Sequence, residues 1–306
     1  MNNLHRKRGL SCFLSWIDDH LGIAFIVPAM AILALLVIYP LLFNVNMSLH
    51  KVNLLNFKTG KWEFVGLKNY IATLTDKTVL LSLLRTAAFM VITVVGQVVL
   101  GMIGALALNT KIKAKGFFTV CVLIPMMMTP IAVGLFWRIL LNRQWGLVNW
   151  LLNCIGIPSV SWLSESTSAF ISVCIVQIWW GVSFVILVLL GGLSSLPPEQ
   201  FEAAQIDGAS KWQSFIHITL PGMKSVLTTV IMLRAIDAFR EFDLIYTLTQ
   251  GGPGAATRVF SLQLYLTSFE SHNFSMGAAQ AIILTLITIV LASGLIKSLS
   301  SEDANG

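Results

Sequence analysis

Six long apolar runs, at 21–43, 87–108, 117–140, 169–193, 226–248 and 276–296, dictate most of what this chain can become. A helix crosses the hydrocarbon core of a bilayer in about 20 apolar residues, and each run has that length. The runs are continuous rather than alternating, which argues against a transmembrane barrel. Backbone groups in lipid must be bonded within their own segment, so the runs predict helices. The expected fold class is all-α, a polytopic membrane protein with six transmembrane helices. Composition agrees: 56% of residues are hydrophobic and 11% charged, with mean hydropathy +0.80, against about a quarter charged in soluble domains.

Orientation follows from lysine and arginine near the span ends. Arg6, Lys7 and Arg8 precede the first run, and Lys111, Lys113 and Lys115 fall between the second and third. Both clusters predict cytoplasmic ends, and six spans then place both termini in the cytoplasm, with Lys297 in agreement. The stretch between the first two runs resists, because Lys51, Lys58, Lys61, Lys68 and Lys77 would lie outside. Its aromatic and glycine punctuation (Trp62, Phe64, Gly66, Tyr70) reads as a small folded cap. The net charge of +6 and pI of about 9.3 are therefore assigned to membrane edges, not to nucleic acid. The first run is too long for a signal sequence and lacks a small-residue cleavage site, so it reads as an uncleaved span. Residues 10–20 read equally as an interfacial helix or a plain tail. The expected domains are a cytoplasmic tail at 1–20, a transmembrane domain at 21–298 with a polar loop at about 194–225, and a tail at 299–306.

Chemistry-bearing clusters are few. Cys12, Cys121, Cys154 and Cys174 show no C-x-x-C spacing, and His5, His20, His50, His217 and His272 are scattered. No catalytic residue and no metal site is expected. No G-x-x-x-x-G-K-[ST] occurs, so the chain has no nucleotide site of that kind, and Gly251-Gly252-Pro253-Gly254 reads as a turn.

The polar stretch E-A-A-Q-I-D-G-A-S-K-W-Q-S-F-I-H-I-T-L-P at 202–221 stands between two apolar runs, on the side the charge clusters make cytoplasmic. Pro197, Pro198, Glu199 and Glu202 suit a first helical turn. Asp207-Gly208 is a turn signal, with glycine free to take φ > 0. A second helix is expected from about Ala209. By pattern alone this is either an amphipathic connector on the bilayer or a slim helix for a partner's groove.

The string as a whole, E-A-A with Gly six residues after the Glu and then I-x-L-P, resembles the coupling loop of ABC importer permeases. One departure is that many members carry a further proline where this chain has Lys224 and Ser225. Further strings resemble the carbohydrate-uptake branch, in the maltose- and glycerol-phosphate-type first permease: F-D-L-I-Y-T-L-T-Q-G-G-P-G at 242–254 with Thr257, Tyr265 and Phe269, F-V-G-L-K-N-Y at 64–70, L-I-P at 123–125 and G-L-V-N at 146–149. The resemblance covers nearly the whole chain. It implies a type I importer permease fold in the bacterial inner (plasma) membrane. It also implies a second, different permease subunit, two ATPase subunits, a periplasmic or lipid-anchored solute-binding protein and a carbohydrate substrate. Glu202, Ala203, Asp207, Gly208 and Ala209 would engage an ATPase subunit. ATP and Mg would bind on that subunit, with no cofactor in this chain.

By the same resemblance, aligned outward from E-A-A, sugar-facing positions fall on Gln177, Trp180 and Gly181 in the fourth run and on Arg234, Ala238 and Glu241 in the fifth, with Met126 in the third. The chemistry is suitable: Trp180 offers an aromatic face, Gln177 a donor and an acceptor, and Gly181 close approach to backbone. Two alternatives stay open. Arg234 with Asp237 and Arg240 with Asp243 would make a neutral internal network, and Trp179 and Trp180 would be interfacial anchors, one facing each way. An arginine fork also suits a carboxylate, so the saccharide is either neutral or acidic. The function expected is the permease subunit of an ATP-driven carbohydrate importer working by alternating access. The rival is an ion-coupled secondary transporter that uses the charged fifth run as a relay.

Overall fold

The computed structural model describes residues 21–110 and 113–303. Arg6, Lys7, Arg8, Cys12, the 10–20 segment and Lys111 lie outside them. The first run folds as α1 (Leu21–Leu33) and α2 (Tyr39–Leu49), joined by a π turn at Ala34–Ile38. A small cap follows: β1 (His50–Lys51), α3 (Leu54–Phe57), β2 (Glu63–Phe64) and α4 (Lys68–Thr75). The two strands pair antiparallel, with Lys51 opposite Glu63. Then come α5 (Lys77–Asn109), α6 (Lys115–Leu123), a tight turn at Ile124–Met127, α7 (Pro130–Leu140), α8 (Leu147–Cys154) and α9 (Ser166–Ser194). The polar loop holds α10 (Pro198–Ile206), α11 (Lys211–Ser214), a π turn at Phe215–Thr219 and α12 (Leu220–Gly222). The chain ends with α13 (Lys224–Phe239), α14 (Asp243–Thr249), α15 (Phe260–Tyr265), a π turn at Leu266–Glu270 and α16 (Phe274–Asp303). The last helix continues into the segment expected to be a tail.

Four helices are each long and apolar enough to cross a membrane: Ile26–Leu49, Lys77–Asn109, Ser166–Ser194 and Phe274–Gly294. Two bent pairs bring the number to six if each pair is one span: Lys115–Met127 with Pro130–Leu140, bent by 100°, and Lys211–Gly222 with Lys224–Phe239, bent by 67°.

The third and fifth runs therefore depart from the straight helices expected. Thr129 is extended (φ −69, ψ 148) and caps α7, whose first residue is Pro130. A residue before proline avoids the helical region, so the chain must turn there. The fifth run does not reach residue 248 as one helix. It stops at Phe239, Arg240 leaves helical geometry (φ −98, ψ 2), and α14 begins afresh at Asp243.

The centre is the pair α5 and α9. Small residues on α5 let the backbones close up: Gly96 lies under Ile178, Gly101 under Val185 and Gly104 under Ile186. This is how membrane helices associate when the solvent is itself apolar. Hydroxyls inside α5 bond their own helix, Thr86 Oγ1 to Ser82 O (2.8 Å) and Thr93 Oγ1 to Phe89 O (2.7 Å), so they cost little in lipid. One core joins Phe89, Val133, Val176, Leu244, Leu248 and Leu262. A second joins Met102, Val185, Leu189, Met223 and Val230. By contrast, none of the best apolar window of Ile26–Leu49 is buried. Apart from its last turns, which lie on α16, that helix presents apolar surface outwards.

Candidate functional site

Five polar side chains meet where α5, α9 and the end of α13 converge. Arg234 on α13 donates from Nε to Gln97 Oε1 on α5 (2.8 Å) and from Nη1 to Asp237 Oδ2 (3.2 Å). Gln97 Nε2 donates in turn to the Gln177 carbonyl on α9 (2.9 Å). Gln177 Nε2 donates to Glu241 Oε2 (3.4 Å). Glu241 accepts from Leu244 N on Oε1 (3.2 Å), and its carbonyl accepts from the Ser261 hydroxyl. The guanidinium carbon of Arg234 stands 5.8 Å from the ring centres of both Trp180 and Phe184, within cation–π range.

The centre is dry: Gln177 is 0% exposed, Gln97 1%, Arg234 5% and Glu241 9%. Asp237 is the wet end, its side chain 50% exposed beside Arg234. Two polar atoms are buried there without a hydrogen-bond partner, Arg234 Nη2 and Gln177 Oε1. One is a donor and the other an acceptor, both at the heart of the bundle.

Of the residues expected to face a sugar, Gln177, Trp180, Gly181, Arg234 and Glu241 come together here. Ala238 is 3% exposed and belongs to the apolar core. Met126 stands apart, 41% exposed in the turn between α6 and α7. The close approach that Gly181 permits is that of Gln97 and Arg234: a Cβ there would meet Arg234 Nη2 at 2.5 Å and Gln97 Cδ at 2.7 Å. Glu241 lies beyond the end of α13, so its place beside Gln177 comes from the break at Arg240 and not from helical spacing. Arg234 and Asp237 pair as expected, whereas Arg240 and Asp243 form no ion pair. Both tryptophans turn inwards. Trp179 stacks edge-on against Trp137 at 5.4 Å, and Trp180 Nε1 donates to Met128 O (3.0 Å). Gln97 was missed among the sequence candidates; its signal is a lone amide inside an apolar run.

The loop at 198–222 is the second feature. Glu199 sits in the first turn of α10, where its charge suits the helix dipole. The helix ends in a Schellman arrangement: Ala209 N bonds Ala204 O (2.9 Å), Gly208 N bonds Gln205 O (3.2 Å), and Gly208 takes φ +76. Ser210 then opens α11 through a reciprocal cap, with Ser210 N to Gln213 Oε1 at 2.7 Å and Gln213 N to Ser210 Oγ at 3.3 Å. Glu202, Ala203, Asp207 and Gly208 are exposed and Ala209 half-buried. Ile206 is 85% and Trp212 68% exposed. The loop is thus a capped helix–bend–helix that leaves apolar side chains exposed.

This pairing, a bent-helix bundle with a dry polar centre and a protruding helical loop, defines a polytopic membrane transport subunit. Residues 97–301 match the family described as "Binding-protein-dependent transport system inner membrane component". The chain belongs to this family and is a multi-pass membrane protein. It is 36% identical to the trehalose/maltose transport system permease protein MalF of Thermococcus litoralis, over 95% of this chain and 94% of that one. It is 28% identical to the sulfoquinovosyl glycerol transport system permease protein SmoG of Agrobacterium fabrum, over 94% and 92%. A chain of a bacterial alginate ABC transporter, crystallised with an alginate pentasaccharide-bound periplasmic protein, shares the fold. Its TM-score is 0.76 at 21% identity, covering 93% of this chain and 94% of that one.

Proposed function

We propose that this chain is one of two non-identical permease subunits of an ATP-driven carbohydrate importer. Sugar transport is the stated role of the MalF and SmoG relatives, and the loop at 198–222 carries the mechanistic part of the reading. Helices end in exposed Ile and Trp on a rigid loop when a groove on another protein receives them. Here that protein is an ATPase subunit, met by Glu202, Ala203, Asp207, Gly208 and Ala209. ATP and Mg bind on two such subunits, and this chain holds no cofactor. Both termini and the loop are cytoplasmic, and a solute-binding protein delivers the sugar on the opposite face.

The loop joins α9 directly to α13, and these are the helices that Gln177 and Arg234 bring to the polar centre. A displacement of the loop therefore biases the packing of both helices. The bundle alternates between inward- and outward-open states, and ATP shifts their populations. When the centre opens, Arg234 Nη2 and Gln177 Oε1 become the donor and acceptor for sugar hydroxyls, with Trp180 beside them. Asp237 and Glu241 outnumber Arg234 there, so a neutral oligosaccharide fits this centre better than an acidic one.

Co-purification in mild detergent tests the reading. An ATPase should accompany the chain, and Gly208→Pro should release it. Sugar uptake that persists in cells lacking the ATPase would overturn the proposal.

A further inference from the structure

A groove of about 1110 Å³ runs between α5, the loop helices α10 and α11, and the first turns of α13. Its long wall is a stripe on α5 made by Val99, Ile103, Leu106 and Thr110. These are spaced four, three and four residues apart and so share one helix face. Val99 is 52% and Ile103 60% exposed. Leu227 and Ile231 of α13 form the second wall, and Phe201, Trp212 and Phe215 of the loop form the third. Trp212 and Phe215 stack at 5.6 Å.

Polarity is graded along the groove. Away from the loop its lining is wholly apolar, with Val98, Val99 and Ile231. Towards the loop it turns polar, with Thr110 after the end of α5, Gln205 near the end of α10, and Lys211 and Ser214 on α11. From Val98 to Thr110 is about 18 Å at about 1.5 Å per residue, slightly more than one leaflet of a core of roughly 30 Å. No acid lines the groove, and Lys211 forms no ion pair among the described residues. Lys113 and Lys115, shortly past Thr110, are exposed as well. Glu202 and Asp207 open onto two other clefts.

We infer that this groove holds an anionic phospholipid from the leaflet on the loop's side. Its acyl chains lie along Val99, Ile103 and Ile231, and its phosphate meets Lys211. A zwitterionic lipid would fill the apolar part equally well. Lys211 supplies the preference, since one lysine at a membrane surface favours an anionic lipid about fivefold. Val98 adjoins Gln97, so the occupied groove props the loop against the helix that carries the polar centre's amide. The inference needs the loop at the membrane surface but not sugar import.

The experiment places the chain, in its purified assembly, in nanodiscs of phosphatidylglycerol and phosphatidylcholine in equal amounts, with a photo-crosslinking residue in place of Ile103. Mass spectrometry counts the adducts. Phosphatidylglycerol should be captured about fivefold or more over phosphatidylcholine, and Lys211→Gln should lower that preference about fivefold. Equal capture of the two lipids by the parent would overturn the inference, because the groove would then hold bulk lipid only. An unchanged preference in Lys211→Gln would also overturn it, as would capture of a second permease chain instead of lipid. Should the crosslinking residue disturb assembly, native mass spectrometry of the unmodified assembly decides. Phosphatidylglycerol retained through delipidation by the parent and lost from Lys211→Gln supports the site, and equal retention refutes it. The lipid ratio is read without transport, so a chain that brought no ATPase with it would refute the importer reading and still test this one.

Discussion

Gly181→Ala is the sharpest probe of the polar centre. The added methyl would stand 2.5 Å from Arg234 Nη2 and 2.7 Å from Gln97 Cδ. Ends of long side chains normally swing away, but these are held: Gln97 bonds Arg234 Nε at 2.8 Å and the Gln177 carbonyl at 2.9 Å. Relief therefore means breaking a hydrogen bond to a charged group, about 1.5–3 kcal/mol, or accepting overpacking strain of about 1–3 kcal/mol. The expected loss is about 2 kcal/mol, roughly thirtyfold in the folding equilibrium. Equilibrium unfolding of the purified chain in mixed micelles measures it. Gln97→Ala removes the obstructing amide, so the double variant should be less destabilised than the sum of the singles by about 1–2 kcal/mol. A Gly181→Ala chain within about 0.5 kcal/mol of the parent would refute the argument, as would strict additivity of the pair, since contacting groups ought to couple.

Three further tests address coupling, charge and topology. Gly208→Pro forces φ from +76 towards about −65° and removes the N–H that closes α10. ATPase co-purification should drop with membrane abundance unchanged, and Glu202→Ala should show the same effect more mildly. Arg234→Gln removes the charged hydrogen bond to Gln97 and the half-exposed pair with Asp237 and should destabilise the subunit by about 1.5–3 kcal/mol, seen as lower abundance. A selective loss of acidic-sugar uptake at normal abundance would instead show that Arg234 holds a carboxylate. In a background lacking Cys121 and Cys154, Asn109→Cys and Ser210→Cys should resist an impermeant thiol reagent on intact cells while Lys61→Cys labels, and the opposite pattern would invert the orientation. Thr257, also expected on the outer side, is a poor reporter at 1% exposure.

The apolar runs were legible because crossing a bilayer imposes length and continuity on sequence. The bends were less so. Pro125 and Pro130 were visible, yet proline is tolerated in membrane helices, and only Thr129 in its extended conformation shows that the third run turns by 100°. The break at Arg240 carries no proline or glycine at all. It is fixed by tertiary contacts: Glu241 is held by Gln177, Leu244 N and Ser261, none of which local propensity reveals. Gln97 was not legible because its partner Arg234 lies 137 residues away. The helix–bend–helix outline of the loop at 198–222 was legible, since Pro198 and Gly208 act on their immediate neighbours.

On the proposed function, loop and polar centre are parts of one device. Gly192 near the end of α9 lies against Met223, which precedes α13, so the two helices are already packed where they leave the loop. From Lys224 to Arg234 is about 15 Å of helix at 1.5 Å per residue. Through that length α13 lies along α5, the helix that carries Gln97. A loop that shifts as a rigid unit, capped at both of its bends, thus has two stiff levers ending on a single hydrogen-bonded strap. The strap is stable only with Gln97, Gln177, Arg234 and Glu241 all in register, because a buried charge that loses its partner costs several kcal/mol. Such a centre prefers being closed or re-satisfied to any partial opening, and the hydroxyls of an arriving sugar are groups able to re-satisfy it.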